Sequence, residues 1–394
     1  MTETTTSKPK PPEGIAGGSW RDALRVPALA VLTGLILGAI AIFASGSNVL
    51  EAYGALFTGS FGDPVRFFTG FQQLFTTGET TGLLRAIRPL TESLVTATPY
   101  IFTGLSVALG FRCGLFNIGA EGQFFIGALC SAFVGYSIKG LPAIIHLPLA
   151  ILAGAAGGAV WGMIPGYLKA RFGAHEVVNT IMMNWIAFRL SDWLLNGPMK
   201  ASGFRPVTPN VEHTAELPHF FPDPIRLNWG FVLALAVAYV LYWFLFKTTL
   251  GFEIRSVGAN PDAAKYAGMN IIRNFVLVMA LAGALAGLAG SAQVLGVDHW
   301  VGQGFSAGYG FDAIAIALLG KSHPLGVVFA AVLFGFLRSG ATNMQSIARV
   351  PIDIISIIQG LVIIFIAAPD IIRWLYRLKN VKVEQTVLTR GWGS

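Results

Sequence analysis

Apolar runs of about 20 residues, the length a helix needs to cross a bilayer core ~30 Å thick, recur along the whole of this 394-residue chain. Ten candidate spans lie near 26–45, 93–111, 122–138, 146–168, 176–196, 229–247, 274–297, 311–320, 325–341 and 351–372. The eighth is short for a full crossing and reads as a half-helix or a tilted piece. Soluble domains carry roughly 25% charged residues. Here only 12% are charged, 54% are hydrophobic, and the mean hydropathy is +0.63. Such a chain cannot clothe a water-facing surface of ordinary polarity. The expectation is an all-α integral membrane protein of about ten transmembrane helices, some broken or short. Its net charge of +7 then acts through its placement on loops rather than through nucleic acid.

The first 25 residues are polar and hold Lys8, Lys10, Arg21 and Arg25. The apolar run that follows them is nearer a full span than a secretory h-region, so it reads as an anchor and not a cleaved signal. This gives an N-terminal tail over 1–25, a polytopic domain over 26–372 and a C-terminal tail over 373–394. Alternating the spans puts both tails and the 169–173, 247–273 and 320–324 loops on one side. That side is the richer in Lys and Arg, which assigns it to the cytoplasm. Two long segments, 46–92 and 197–228, fall outside. The first looks partly amphipathic; the second, rich in Pro and polar residues, reads as a loop.

Small residues recur at helix-contact spacing: Gly154, Gly158, Gly162 and Gly166 in one span, Gly283 and Gly287 in another, Gly34 and Gly38 in the first. Missing Cβ atoms let two backbones approach in lipid. The contact can be static packing or a sliding surface. A weak internal echo relates GAEGQFFIGAL (119–129) to GYGFDAIAIALLG (308–320). The copies start on opposite sides, which reads as two inverted repeats of about five helices, a common transporter plan.

Polar residues at bilayer depth are the candidate pathway. FRCGLFNIGAEGQ (111–123) puts Arg112, Asn117, Glu121 and Gln123 among Gly114, Gly119 and Gly122. This reads either as a broken helix lining a pathway or as an inner-surface turn in which Glu121 pairs with Arg112. Asp312 is the counterpart carboxylate in the second copy; Asn179, Thr180, Asn184, Asn343 and Gln345 supply further groups able to bond a neutral polar ligand. Each amide alone also suits interhelical hydrogen bonding. Phe116, Phe124, Trp185 and Trp300 are candidate stacking partners for a base.

Enzyme readings fail. His175-Glu176 opens an HExxH pattern whose fifth position is Asn179, and Gly320-Lys321-Ser322 lacks the earlier phosphate-loop glycine, replaced by Ala315. Cys113 and Cys130 read as free thiols in apolar surroundings. No metal, cofactor or catalytic set is expected. Energy for uphill movement has to come from an ion gradient or a partner.

The longest charged interruption is Lys247–Arg273. Within it Asn260-Pro261 starts a short helix with Pro at its first position, Asp262 complements the dipole, and Gly268 suits a stop. Three stretches, FRCGLFNIGAEGQFFIGA (111–128), EIRSVGANPDAAKYAGMNI (253–271) and GFDAIAIALLGKSHPLGVVFAAVLFG (310–335), resemble membrane subunits of bacterial ATP-binding-cassette importers. These belong to the branched-chain amino acid and simple-sugar permease superfamily, and the resemblance is to its nucleoside-importer branch. It implies import through the bacterial inner membrane, a partner ABC ATPase, a second related permease, and a solute-binding lipoprotein or periplasmic protein. It also implies that the ATPase docks on Arg255, Gly258, Ala259, Asn260, Pro261, Ala263, Ala264, Lys265, Tyr266 and Gly268. The substrate is expected to be a nucleoside, a purine nucleoside first. The alternatives are a monosaccharide or other small polar solute, or a gradient-driven carrier working without an ATPase.

Overall fold

A chain in lipid must satisfy its backbone internally, which an uninterrupted helix does. The computed structural model describes residues 20–351 and parts of 354–378, and among them every regular element is helical. In order these are α1 (Trp20–Ala44), α2 (Val49–Phe61), α3 (Pro64–Thr77), α4 (Thr81–Arg112), α5 (Ala120–Ser137), α6 (Ala143–Phe172), α7 (Glu176–Asn196), α8 (Trp229–Lys247), α9 (Thr249–Ala259), α10 (Pro261–Tyr266), α11 (Ile271–Gln293), α12 (Tyr309–Leu319), α13 (Pro324–Ala348) and α14 (Pro369–Leu375). The tail residues before Trp20 and after Leu378, and much of the tenth expected span, lie outside the described residues.

Among the described residues, five helices have the length and apolar character of a membrane crossing: α4, α6, α8, α11 with the π-helical turn that follows it, and α13. They divide by environment. The apolar window of α4 is 89% buried, whereas those of α6 and α8 are 22% and 28% buried. So α4 is the central post, and α6 and α8 turn most of their apolar surface outward. The eighth expected span, α12, has 11 residues.

Segment 46–92 was expected to be partly amphipathic, with no helices assigned to it. It forms α2, α3 and the start of α4. Asn48 and Asp63 cap the first two helices through their side chains, and Pro64 occupies the first position of α3. Their glycine and threonine content masked these helices. The 197–228 segment is irregular as expected, apart from a single 3₁₀ turn at His213–Ala215.

The glycine ladder joins α6 to α11. Gly154, Gly158, Gly162 and Gly166 are all buried. A Cβ on Gly158 would strike the Gly283 carbonyl, and one on Gly287 would strike that of Gly154. Gly127 of α5 lies against Gly287 in the same way. Three backbones therefore meet at one seam, where only glycine fits. Cys113 and Cys130 are free.

Candidate functional site

Helix α4 ends at Arg112, and the chain breaks over 113–119 before α5 begins. Gly114 makes the turn with φ of 73°. The first amides of a helix have no intrahelical partner, and at the start of α5 side chains supply them. Asn117 Oδ1 accepts from Gly119 N at 3.1 Å, and Asn184 Oδ1 of α7 accepts from Gly122 N at 2.8 Å. Asn184 Nδ2 donates to the Ile118 carbonyl at 3.0 Å. Asn117 and Gln123 exchange amide hydrogen bonds at 2.9 and 3.1 Å. All three amide side chains are buried, and their bonding capacity goes into holding the break.

Glu121 does not pair with Arg112. Its carboxylate, 3% exposed, crosses to the second break: Ser306 Oγ and Gly310 N both donate to it, the latter at 2.6 Å. It thereby caps α12. A Cβ on Gly310 would run into the backbone of Ala120 and Glu121, so the two helix starts meet tip to tip. Arg112 points the other way, donating from Nε to the Ser322 carbonyl at 2.8 Å in the turn between α12 and α13.

Asp312 lies one turn into α12. Tyr100 Oη donates to its Oδ2 at 2.7 Å, and Arg338 Nη1 of α13 stands 3.6 Å from the same oxygen. Arg338 Nη2 donates to the Ala307 carbonyl at 2.9 Å. Unlike Glu121, this pair is partly open, with side-chain exposures of 33% for Arg338 and 27% for Asp312.

The other expected residues are dispersed. Asn179 Nδ2 is buried with no hydrogen-bond partner among the described residues. Asn343 packs against Gly59 of α2 and bonds none of the others. Phe124 is fully buried and stacked on Phe305 at 5.2 Å, so its ring face is already occupied. Trp185 and Trp300 are exposed, at 56% and 41%, and Phe116 packs on Phe111. Sequence reasoning missed Tyr100, Ser306 and Arg338. Arg338 carried a readable signal, a lone charge inside an apolar span; Tyr100 and Ser306 carried none.

The charged loop folds as α9 and α10. Asn260 Oδ1 accepts from Ala263 N at 3.0 Å, Pro261 is the first helical residue, and Gly268 has φ of 82°. Ala264 is buried while Asp262, Lys265 and Tyr266 are exposed, Tyr266 at 95%. Gly258 at the end of α9 is pressed onto Arg112 and Cys113: a Cβ there would strike the Arg112 carbonyl. Arg112 and Arg255 both stand over the Phe246 ring, 5.5 and 5.1 Å from its centroid. His323 stacks on the same ring at 5.3 Å. Burial, and then the neighbouring Arg112 charge, hold the His323 imidazole below its ordinary pKa.

Residues 90–367 match the family model described as "Branched-chain amino acid transport system / permease component". The chain is 40% identical to the guanosine ABC transporter permease protein NupP of Bacillus subtilis, over 89% of this chain and 95% of that protein. It also matches NupQ, a guanosine ABC transporter permease protein of the same organism, at 29% identity over 65% of this chain and 82% of NupQ. The glucose ABC transporter permease protein TsgB13 of Haloferax volcanii is 34% identical over 88% of each chain. No solved structure matches. With its helical breaks, its apolar spans and a family match over most of its length, the chain belongs to the family of transport-system permease components, membrane proteins that are not themselves enzymes.

Proposed function

We propose that this chain is the membrane-spanning permease subunit of an ATP-binding-cassette importer for nucleosides, purine nucleosides first among them. The observation that carries the reading is the 40% identity to a guanosine permease over almost the whole of both chains. Both tails lie in the cytoplasm in this reading, which the Lys and Arg distribution supports. An ATPase grips α10 from inside, a second related permease completes the membrane core, and a solute-binding lipoprotein or periplasmic protein delivers from outside. The match to two guanosine permeases of one organism supports the paired arrangement.

The geometry supplies a route from the gripped helix to the breaks. A push on Lys265 or Tyr266 moves α9, because α10 follows it after a single capping residue. Gly258 transfers that motion to the end of α4 through backbone contact. From Arg112 it divides: along 113–119 to α5 and Glu121, and through Ser322 to the far end of α12. Helix α12 is thus held at both ends by groups that the α9–α10 unit can displace. Under alternating access, ATP binding would tilt α12 and open the pathway past Asp312. In this reading the pathway residues Asn117, Gln123 and Asn184 hold the break, Glu121 joins the two helices, and Asp312 meets solute.

Two experiments test this. Pro261→Arg with Ala263→Arg places bulky charge on the exposed face of α10; ATPase co-purification and nucleoside uptake should both be lost, and survival of both refutes the docking assignment. Substrate class is read by competition: excess unlabelled guanosine should block uptake of labelled guanosine, and glucose should not. The glucose permease relative at 34% identity favours the second reading, a monosaccharide permease, and uptake of labelled glucose that excess guanosine does not block would establish it.

A further inference from the structure

Three spanning helices begin or end around one point. Helix α4 ends at Arg112, α8 ends at Lys247, and α13 begins at Pro324. Side chains at such ends stand where hydrocarbon gives way to headgroups. Phe246 of α8 is the centre of the group: Arg112 and Arg255 lie over its ring, and the His323 imidazole stacks on it. Arg255 lies one turn before Gly258 in α9, and the Gly258 backbone presses on the Arg112 carbonyl. Lys321 is exposed in the turn between α12 and α13, with its carbonyl 3.4 Å from Arg112 Nη2.

Three cations thus come together from three parts of the chain, and no carboxylate joins them. Arg112 donates only to the Ser322 and Lys321 carbonyls among the described residues. Arg255 donates only from Nε, to the Gly251 carbonyl at 3.4 Å, so both of its terminal nitrogens are unpaired among the described residues. Glu253, on the same helix, is turned away: two residues are about 200° around a helix. It is held instead by Arg273 Nη2 at 2.6 Å and Asn274 Nδ2 at 3.1 Å. Retention of Lys and Arg on the inner side accounts for the sign of the charge, but not for two guanidiniums sharing one ring. Like charges held this close repel, and a guanidinium has five N–H donors to satisfy. An anion between them answers both.

The surroundings say which anion. Trp243, one turn before Phe246 in α8, is exposed, and so are Leu325 and Phe329 at the start of α13, which packs beside α8. Apolar surface therefore runs from the cations toward the hydrocarbon layer. Free phosphate would leave it bare; a phosphate that carries acyl chains covers it. Basic pockets between spanning helices on the cytoplasmic side are suited to anionic lipid headgroups. We propose that Arg112, Arg255 and Lys321 form a binding site for the phosphate of an anionic phospholipid of the inner leaflet, its chains lying along Trp243, Leu325 and Phe329. The site rests on the cytoplasmic placement of α9 in the permease reading above. Seated there, the phosphate ties α9, the end of α4 and the α12–α13 turn together.

The complete importer, purified in detergent, is titrated with phosphatidylglycerol or phosphatidylcholine, and lipid retained by this chain is counted by native mass spectrometry. Phosphatidylglycerol should bind about tenfold more tightly, and Arg255→Gln with Lys321→Gln should bring the two lipids level. Lys169→Gln with Arg171→Gln, at the end of α6, removes as many charges from the same side and should leave the preference intact. Equal binding of the two lipids, a preference lost equally in both double variants, or one abolished by inorganic phosphate at constant ionic strength would each overturn the proposal. If the first double variant fails to assemble, Lys321→Gln alone, on an exposed side chain, should still weaken the preference several-fold. ATP-driven nucleoside uptake by the unaltered importer is measured alongside. Uptake without a lipid preference removes the site and leaves the permease reading standing; a lipid preference without uptake leaves the site and removes that reading.

Discussion

The two helix breaks lead into stretches that echo each other weakly, 119–129 and 308–320, yet they end in opposite states. The 113–119 break is closed. Its amides Asn117, Gln123 and Asn184 are buried and bonded to one another or to backbone. The 299–308 break is closed only at its start, and its latter half is open space around glycine. Glu121 belongs to the first break and completes the second. The lesson is that polar residues at bilayer depth serve two purposes here. Those of the first break hold backbone that has left the helix; those beside the second, Asp312 and Arg338, keep bonding capacity in reserve.

The strongest way to break that comparison is Glu121→Ala. It strands the Ser306 hydroxyl and the Gly310 amide together, at roughly 1–3 kcal/mol each. The purified protein in detergent should unfold at clearly lower temperature, and Glu121→Gln should recover part of the loss. An unchanged melting temperature in the alanine variant would mean that the two breaks are not joined by this carboxylate. Next in size is Gly122→Ala in the closed break. The new methyl would sit 2.8 Å from Asn184 Oδ1 and 3.0 Å from its Cα, so α7 must shift, at roughly 1–3 kcal/mol. Gly304→Ala in the open break meets no atom but has φ of 65°, and should cost only about 1 kcal/mol of backbone strain. Equal losses from the two glycine variants would contradict the contrast between a closed break and an open one.

The smallest effect concerns His323, beside the turn that ties α12 to Arg112. Its pKa in the folded protein is depressed, so the unfolded chain binds the proton more tightly. This contribution to stability is whole above the ordinary imidazole value of about 6.5 and is lost as pH falls from there through the folded pKa. Thermal stability should therefore decline modestly between neutral and mildly acid pH. His323→Gln should flatten that part of the profile, and a profile unchanged by the substitution would exclude His323 as its source.

Legibility followed the range of the interaction. The short helix α10 was readable because its cap, its proline and its stop all lie within nine residues of sequence, Asn260 to Gly268. The glycine ladder was readable as a spacing, though which helix it faced was not. Helices α2 and α3 were hidden because they carry too many polar and small residues to look like spans, and one of them packs on α13, far along the chain. The broken helix at 113–119 was visible as clustered glycines, but the expected alternatives for Glu121 did not include its partners.

What the sequence determined by itself is the class of molecule: length and apolarity of a run decide whether a helix belongs in a membrane, because backbone satisfaction and side-chain transfer are local quantities. Which polar groups meet was decided only by the tertiary structure. Glu121 reaches Ser306 and Gly310 across 185 and 189 positions of chain, and Asp312 takes the hydroxyl of Tyr100 across 212. A hydrogen bond of that kind depends on how helices pack, and packing is set by the glycine seam of α5, α6 and α11 and the burial of α4, not by any pattern in the neighbouring residues.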